Sequence, residues 1–386
     1  MTAKQFQIQV SSEILTDLNE RLEHIRWPHC PHKYSWERGT EIEYLQHLIS
    51  YWKNHFDWSA KEAELNRFSH FTCNIDGVSL HYMYERGYGS DSLPIILTHG
   101  WPDSFVRYLK LIPLLTDPTK YGGDPEDTFD VIIPSLPGFG FSGLPKHGGI
   151  NNLHVAQLWA KLMTQELGYC KFVAAGGDIG SGVTRYLAVK YPELLHGIHL
   201  TDIGIIKNIL STLDDKALSD EELHYKANVQ KWISHEGAYM SLQSTKPQTL
   251  AYGLSDSPVG LAAWIIEKFQ SWSDCSGVLG QRFHEDELLT NIMIYWVTNT
   301  INSSFSMYYE NSHTLPAIER ITVPTGIALF PSDILLPPYE WAKQNLNITR
   351  WTTMQRGGHF AAMEEPELLA EEIRAFCKPF RKNRHS

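Results

Sequence analysis

The stretch FVAAGGDIGSG, from Phe172 to Gly182, decides how the rest of the chain is read. Its first half, with Lys171 before it, is a short continuous apolar run bounded by glycines, the pattern of a strand buried on both faces. The run that follows, VTRYLAVKYPELL from Val183 to Leu195, has helical spacing and meets a proline at Pro192. Between them, Gly176-Gly177-Asp178-Ile179-Gly180 has the form Gly-x-nucleophile-x-Gly of a sharp strand-to-helix turn, with aspartate where serine commonly stands. An acid at a helix start also satisfies free backbone N–H groups without any chemistry. The turn alone leaves both readings open.

The flanking pattern narrows them. Upstream, LPIILTHGWPDS (93–104) and FDVIIPSLPGFGFS (129–142) read as strands, with helical runs FVRYLKLIPLL (105–115) and NLHVAQLWAKLMTQELG (152–168) after them. Buried strands alternating with helices predict an α/β fold, a parallel sheet covered on both faces. Residues 1 to about 68 carry amphipathic helical patterns, SSEILTDLNERLEHIRW and IEYLQHLISYWKNHFDW, with Ser11 or Ser12 as a cap and Pro28 as a stop. The period changes to two at FTCNIDGVSLHYMYERG, where Asp76-Gly77 signals a hairpin turn. After HGIHLTD (196–202) the alternation disappears, and residues 206 to about 319 are mostly helical. Strands return with ITVPTGIALFPSD and ITRWTTMQRGGH before the closing helix EPELLAEEIRAFCKPF. A helical excursion between sheet strands predicts a cap over the sheet's C-terminal edge, where open α/β sheets bind ligands.

In this chain order an elbow nucleophile is followed by an acid at the end of a later strand and then by a histidine. Asp333 ends TGIALFPSD, and His359 follows Gly357-Gly358. Each is an ordinary loop residue by itself; the ordered set gives them weight. His99-Gly100-Trp101-Pro102 ends the first apolar strand, so the Trp101 N–H and the Ile179 N–H are placed to form an oxyanion hole, while the Trp101 ring packs as core.

Composition excludes several classes. The formal charge of −11, from 33 basic and 44 acidic side chains, repels nucleic acid and anionic lipid, and the only basic cluster is the last few residues. No apolar run reaches membrane-spanning length and the polar start lacks the marks of a signal peptide, so no membrane anchor and a cytoplasmic location are expected. The five cysteines are scattered and the histidines show no His-Glu-x-x-His, so reduced thiols, no metal and no cofactor are expected.

The chain resembles an epoxide hydrolase of the α/β-hydrolase superfamily, on the microsomal and fungal branch with an N-terminal epoxide-hydrolase domain. The resemblance runs nearly the full length and rests on HGWP (99–102), PSLPGFGFS (134–142), GGD (176–178), the cap segment HEGAYMSLQSTKPQTLAYGLSDSPVGLAAWIIEKFQSWSD and GGHFAAMEEPELL (357–369). It implies an extension at 1–90, a hydrolase core at 91–205 and 320–386, and a helical cap at 206–319. It implies Asp178 as nucleophile, His359 as base, Asp333 as its acidic partner, and the cap tyrosines Tyr239 and Tyr308 as proton donors, with Tyr309 open as an alternative to Tyr308. The substrate implied is a small-molecule epoxide with an apolar portion, hydrolysed to a vicinal diol through an Asp178 ester.

Other activities of the same fold weigh less. A haloalkane dehalogenase starts from the same aspartate but needs no phenolic acids, and Ser181 is misplaced for a serine esterase; a non-catalytic binding member is the remaining alternative. The resemblance also implies that the N-terminal helices clasp the core and steady the cap; a homodimer surface is the other reading. Two positions depart from the branch. Ile179 stands where it commonly has Trp and is expected to reshape the pocket, and Asp103 stands where it commonly has Gly and is expected to change the turn's flexibility or put another carboxylate near the entrance.

Overall fold

A computed structural model of the chain describes residues 3–30, 35–146, 149–204 and 218–382. The buried apolar runs pair into one nine-stranded sheet: β1 Lys4–Phe6, β2 His70–Ile75, β3 Val78–Glu85, β4 Leu93–Thr98, β5 Phe129–Pro134, β6 Phe172–Gly176, β7 Leu195–Leu200, β8 Pro324–Leu329 and β9 Asn347–Thr353. Its order is β1-β2-β3-β5-β4-β6-β7-β8-β9. From β5 to β9 the pairing is parallel, whereas β1, β2 and β3 join antiparallel at one end. The sheet is therefore mixed rather than all-parallel, because the Asp76-Gly77 turn, with φ of 52° and 82°, folds β2 back on β3. The 1–90 extension contributes these strands to the hydrolase sheet itself. The edge strand β1 has only three residues, too few for a readable period.

Helices α1 Ser12–Glu23, α2 Ile42–Asn54 and α3 Trp58–Leu65 precede the hairpin. Ser11 is the cap of α1, and that helix ends well before Pro28. α4 Leu111–Thr116 is shorter than its apolar run suggests; a separate 3₁₀ turn holds Phe105–Tyr108. α5 Asn152–Lys161 packs against α6 Ile179–Lys190 beside the sheet.

The cap comprises α7 Asp220–His235, α8 Ala238–Thr245, α9 Pro247–Asp256, α10 Pro258–Trp272, α11 Glu285–Thr298 and α12 Ile301–His313. The expected boundary at 205/206 lies outside the described residues. α13 Tyr339–Ala342, α14 Ala361–Glu364 and α15 Pro366–Lys382 complete the chain, and α15 packs on α4, β7 and β8.

The apolar face of α2, formed by Leu45, Leu48, Ile49 and Trp52, is buried. It packs on α1 and on the cap helices α10 and α11. Polar ties join the same surfaces: Thr40 Oγ1 donates to the Ala263 carbonyl at 2.6 Å, and the Tyr51 hydroxyl donates to Asp286 at 3.0 Å. Among the described residues no helix is long and apolar enough to cross a membrane.

Candidate active site

Strand register assembles the site. Thr98 of β4 pairs with Gly176 of β6, so the turn after β4 and the elbow after β6 leave the sheet side by side. Gly176 pairs with Leu200 of β7, and β7 with β8, which extends the row of loops to Asp202 and Asp333. A bridge between Ser332 and Gly358 then sets Asp333 beside His359. β4 pairs in parallel with β5 on one side and β6 on the other, the switch point where such sheets open a crevice.

The elbow geometry bears on both readings of Asp178. Its backbone has φ 55° and ψ −126°, a region L-residues avoid, and its side chain makes no capping bond to α6. Instead Oδ1 accepts the Trp101 N–H at 2.8 Å. The turn closes only on glycine: a Cβ at Gly180 would come within 2.0 Å of the Thr98 carbonyl oxygen, and one at Gly100 within 2.4 Å of Asp178 itself.

His359 lies across the carboxylate. Its Nδ1 is 2.7 Å from Asp333 Oδ1, and its Nε2 is 3.8 Å from Asp178 Oδ2, with no hydrogen-bond partner of its own among the described residues. The bond to Asp333 fixes Nδ1 as the proton-bearing nitrogen and turns Nε2 toward Asp178. Burial by itself disfavours the imidazolium, but the charges of Asp333 and Asp178 outweigh it and push the His359 pKa up to about 9. Asp178 is raised above the ordinary carboxylate range, chiefly by burial, against the lowering pull of His359 and of the Trp101 and Ile179 N–H groups.

The packing of α12 against α8 and α9 brings Tyr308 and Tyr239 together over Asp178. Their rings are 6.0 Å apart at 76°, and Tyr239 stacks on the Trp101 indole at 5.3 Å. Burial first, with the Asp178 anion among the further causes, holds both phenols well above their ordinary pKa, so both are protonated at neutral pH. Tyr309 is 39% exposed and stacks on His313, away from the cavity. A cavity of about 630 Å³ joins Asp178, Ile179, Tyr239, Tyr308, Asp333 and His359.

Asp103 does not stand at the entrance. It is buried, accepts the Gly100 N–H at 2.8 Å and pairs with Arg107, whose other arm donates to the His359 carbonyl at 2.7 Å. The aspartate thus braces the turn that carries the Trp101 N–H and links it to the histidine loop.

Three supporting residues escape a sequence reading. Arg107 is one. Glu364 is the second, its carboxylate accepting N–H bonds from Asp274, Gly358 and Phe360 around His359. Asp202 is the third: it ends β7 much as Asp333 follows β8, but its carboxylate accepts the Asp178 and Gly204 N–H groups. Burial, with Asp333 next, pushes its pKa up to about 6. An acid after HGIHL was the available signal; only the fold shows which of the two acids the histidine meets.

A crevice at the sheet's switch point, an elbow residue held by a facing N–H and an Asp–His pair define the class as an α/β-hydrolase. Comparison with known proteins agrees and goes further. Residues 3–108 match the family described as epoxide hydrolase N terminus, and residues 94–236 the alpha/beta hydrolase fold. A Stigmatella aurantiaca chain is 45% identical over 97% of this one and 85% of its own length. Epoxide hydrolase 1 of Sus scrofa is 39% identical over 96% of this chain and 87% of its own. The crystal structure of juvenile hormone epoxide hydrolase from Bombyx mori superposes with a TM-score of 0.85 at 28% identity, covering 99% of this chain and 94% of that one. The Aspergillus niger epoxide hydrolase structure gives 0.86 at 28%, covering 98% and 97%. The chain belongs to the epoxide hydrolases, and its activity is the addition of water to an epoxide to give a vicinal diol.

Proposed function

We propose that Asp178 opens the epoxide as a nucleophile and that His359 then drives hydrolysis of the ester it forms. Oδ1 sits in the hole made by the Trp101 and Ile179 N–H groups, which leaves Oδ2 to attack a ring carbon. The C–O bond breaks, and the departing oxygen takes a proton from the Tyr239 or Tyr308 hydroxyl. Alkylation removes the negative charge of Asp178, one of the charges that hold the His359 proton. The imidazolium then gives up its proton, which restores the phenol that donated; the neutral Nε2 takes a proton from water as the water oxygen adds to the Asp178 acyl carbon. The N–H pair stabilises the oxyanion on Oδ1; on collapse the bond to the substrate oxygen breaks, that oxygen takes the proton from Nε2 to complete the diol, and the regenerated Asp178 acid returns its proton to His359. Asp333 keeps the ring in the required tautomer.

The single observation that carries this reading is the Trp101 N–H to Asp178 Oδ1 bond, which ties the carboxylate to the turn after β4, near two protonated phenols. The His359→Gln variant tests it. Covalent enzyme is expected to accumulate, seen by intact-protein and peptide mass spectrometry as a substrate-sized addition on Asp178. Diol formed at the parent rate with no adduct, in a folded variant, contradicts the proposal.

The apolar walls of the cavity, including Trp232, Met240, Leu315, Ile334 and Leu335, support an epoxide with an apolar portion. The described cysteines are unpaired, which supports a reducing, cytoplasmic compartment that fractionation can test. The packing of α2 on the cap supports the clasp over the homodimer, and light scattering of the intact chain distinguishes them.

A further inference from the structure

The active-site cavity has a second polar corner that the hydrolytic chemistry does not use. Arg185 lies on α6 seven residues after Asp178, two helical turns on and on the same face, about 10 Å further along the axis. Its side chain lines the cavity that also holds Asp178, with Nη2 beside Gly204. Among the described residues it has no hydrogen-bond or ion-pair partner, and its Nε is buried. The Tyr225 hydroxyl, on α7 of the cap, is buried in the same wall and is equally unpartnered among the described residues; the whole residue is 4% exposed.

Buried donors without acceptors are costly, and the Arg185 Nε and the Tyr225 hydroxyl are two such donors in one cavity wall. Among the described residues the acid that acts on it is Asp202, but its two carboxylate oxygens are taken by the N–H groups of Asp178 and Gly204. Burial lowers the Arg185 pKa against the pull of Asp202, as expected of a cation lacking a close counter-ion. Gly204, with φ 70°, lies against the guanidinium, where a Cβ would come 3.0 Å from Nη2. Among the described cavity residues, Ile203, Ile318, Ile321 and Leu346 are apolar and offer it nothing, and neither Gln344 nor Asn345 bonds to it.

We infer that Arg185 and Tyr225 form a recognition site for a carboxylate on the substrate, so that the preferred epoxides are those of aliphatic acids, with the acid group anchored at one end of the cavity and the ring at Asp178. This rests on the placement of the reacting ring at Asp178. The guanidinium supplies a two-pronged donor matched to a carboxylate, the phenol a third donor, and the apolar walls between take the carbon chain. A hydrocarbon epoxide reaches the same nucleophile but leaves both donors unpaired, which is the situation in which polar sites discriminate strongly.

The test compares an ω-epoxy fatty acid with its methyl ester and with the corresponding hydrocarbon epoxide on the full chain. The acid is expected to show the highest kcat/KM, by at least about tenfold over the ester. In Arg185→Gln that preference is expected to collapse, and in Tyr225→Phe to shrink, while Arg185→Lys, which keeps the charge and loses the fork, falls between. A second readout involves no epoxide chemistry: a saturated fatty acid should inhibit turnover of the hydrocarbon epoxide competitively, and its Ki should rise by about tenfold or more in Arg185→Gln. That inhibition survives even if Asp178 is not the nucleophile, so the two proposals fail separately. Equal kcat/KM for acid and ester in the parent protein, or an unchanged acid-to-ester ratio in both Arg185→Gln and Tyr225→Phe, overturns the assignment.

Discussion

Asp178, the proposed nucleophile, is held at a cost to its own fold. The positive φ and the buried carboxylate each work against stability, the first by about 1–3 kcal/mol and the second through the raised pKa that burial imposes. Replacing it by alanine keeps the strained backbone but removes the buried charge. Asp178→Ala is therefore expected to lose at least about 10³-fold in turnover while melting no lower than the parent. A variant that melts clearly lower identifies the carboxylate as a structural element and restores the helix-start reading.

His359 permits a second prediction at this scale. In the free enzyme the charges of Asp333 and Asp178, against burial, hold it at about 9, so it is protonated at neutral pH. Once Asp178 is an ester, one of those charges is gone and the pKa falls below that value. Hydrolysis of the ester needs neutral imidazole; its rate should rise with pH and level off at an apparent pKa lower than that of free His359. Single-turnover decay of the adduct across pH, set against an NMR titration of the free enzyme, checks the order. An adduct pKa equal to or above the free value removes the charge coupling.

At the scale of elements, two braces hold the donors and the base in register. The turn after β4 depends on Asp103, which is pulled well below ordinary carboxylate behaviour, to about 2, because the attraction of Arg107 and His99 exceeds the opposing effect of burial. Asp103→Asn leaves Arg107 buried without its counter-charge. A loss of about 3–5 kcal/mol is expected by denaturant unfolding, larger than for a typical surface change. The loop around His359 depends on Glu364, whose carboxylate gathers the N–H groups of Asp274, Gly358 and Phe360. Glu364→Gln keeps the shape but turns an amide donor toward some of these donors, so a cost of about 1–3 kcal/mol is expected. Since the loop positions His359 and not Asp178, ester decay should slow more than ester formation in rapid-quench experiments. Equal slowing of both steps marks Glu364 as a general stabiliser instead.

These braces also explain what the sequence could and could not reveal. Asp178, Asp333 and His359 were legible because the chemistry demands an order along the chain, and each follows a strand whose apolar run is visible. Tyr308 and Tyr239 came only from a family resemblance, since aromatic residues on helices look alike whether they face a cavity or a core. Of the two roles expected of Asp103, the one in the turn matches its bond to the Gly100 N–H and the one at the entrance does not; its partner, Arg107, reaches the His359 carbonyl across 252 positions of sequence, a contact that no local pattern contains. Arg185 reads as one more helix residue until the cap closes over it. The antiparallel end of the sheet was half visible: the hairpin has its Asp-Gly turn, but β1 is set by pairing with β2 and not by its own composition.

For the molecule as a whole, the proposed mechanism requires the cap tyrosines to meet a nucleophile carried by the sheet, and the N-terminal segment is built into both sides of that meeting. Its strands extend the sheet, and α2 packs on the cap helices α10 and α11. Two kinds of contact serve this clasp, and they differ in strength. Arg21 pairs with Asp256 of the cap, but the arginine is one-third exposed and the aspartate largely so. Such a pair contributes at most about 1 kcal/mol and weakens in salt. Leu48, on the apolar face of α2, is fully buried. Its truncation to alanine leaves a cavity and costs about 2–5 kcal/mol. Arg21→Ala should therefore leave the melting temperature and epoxide turnover close to those of the parent. Leu48→Ala should lower the melting temperature by several degrees and, because the phenols sit on the loosened side, slow epoxide opening more than ester hydrolysis. If Leu48→Ala lowers stability with both chemical steps unchanged, the N-terminal segment stabilises the sheet alone, and the cap holds its tyrosines over Asp178 without it.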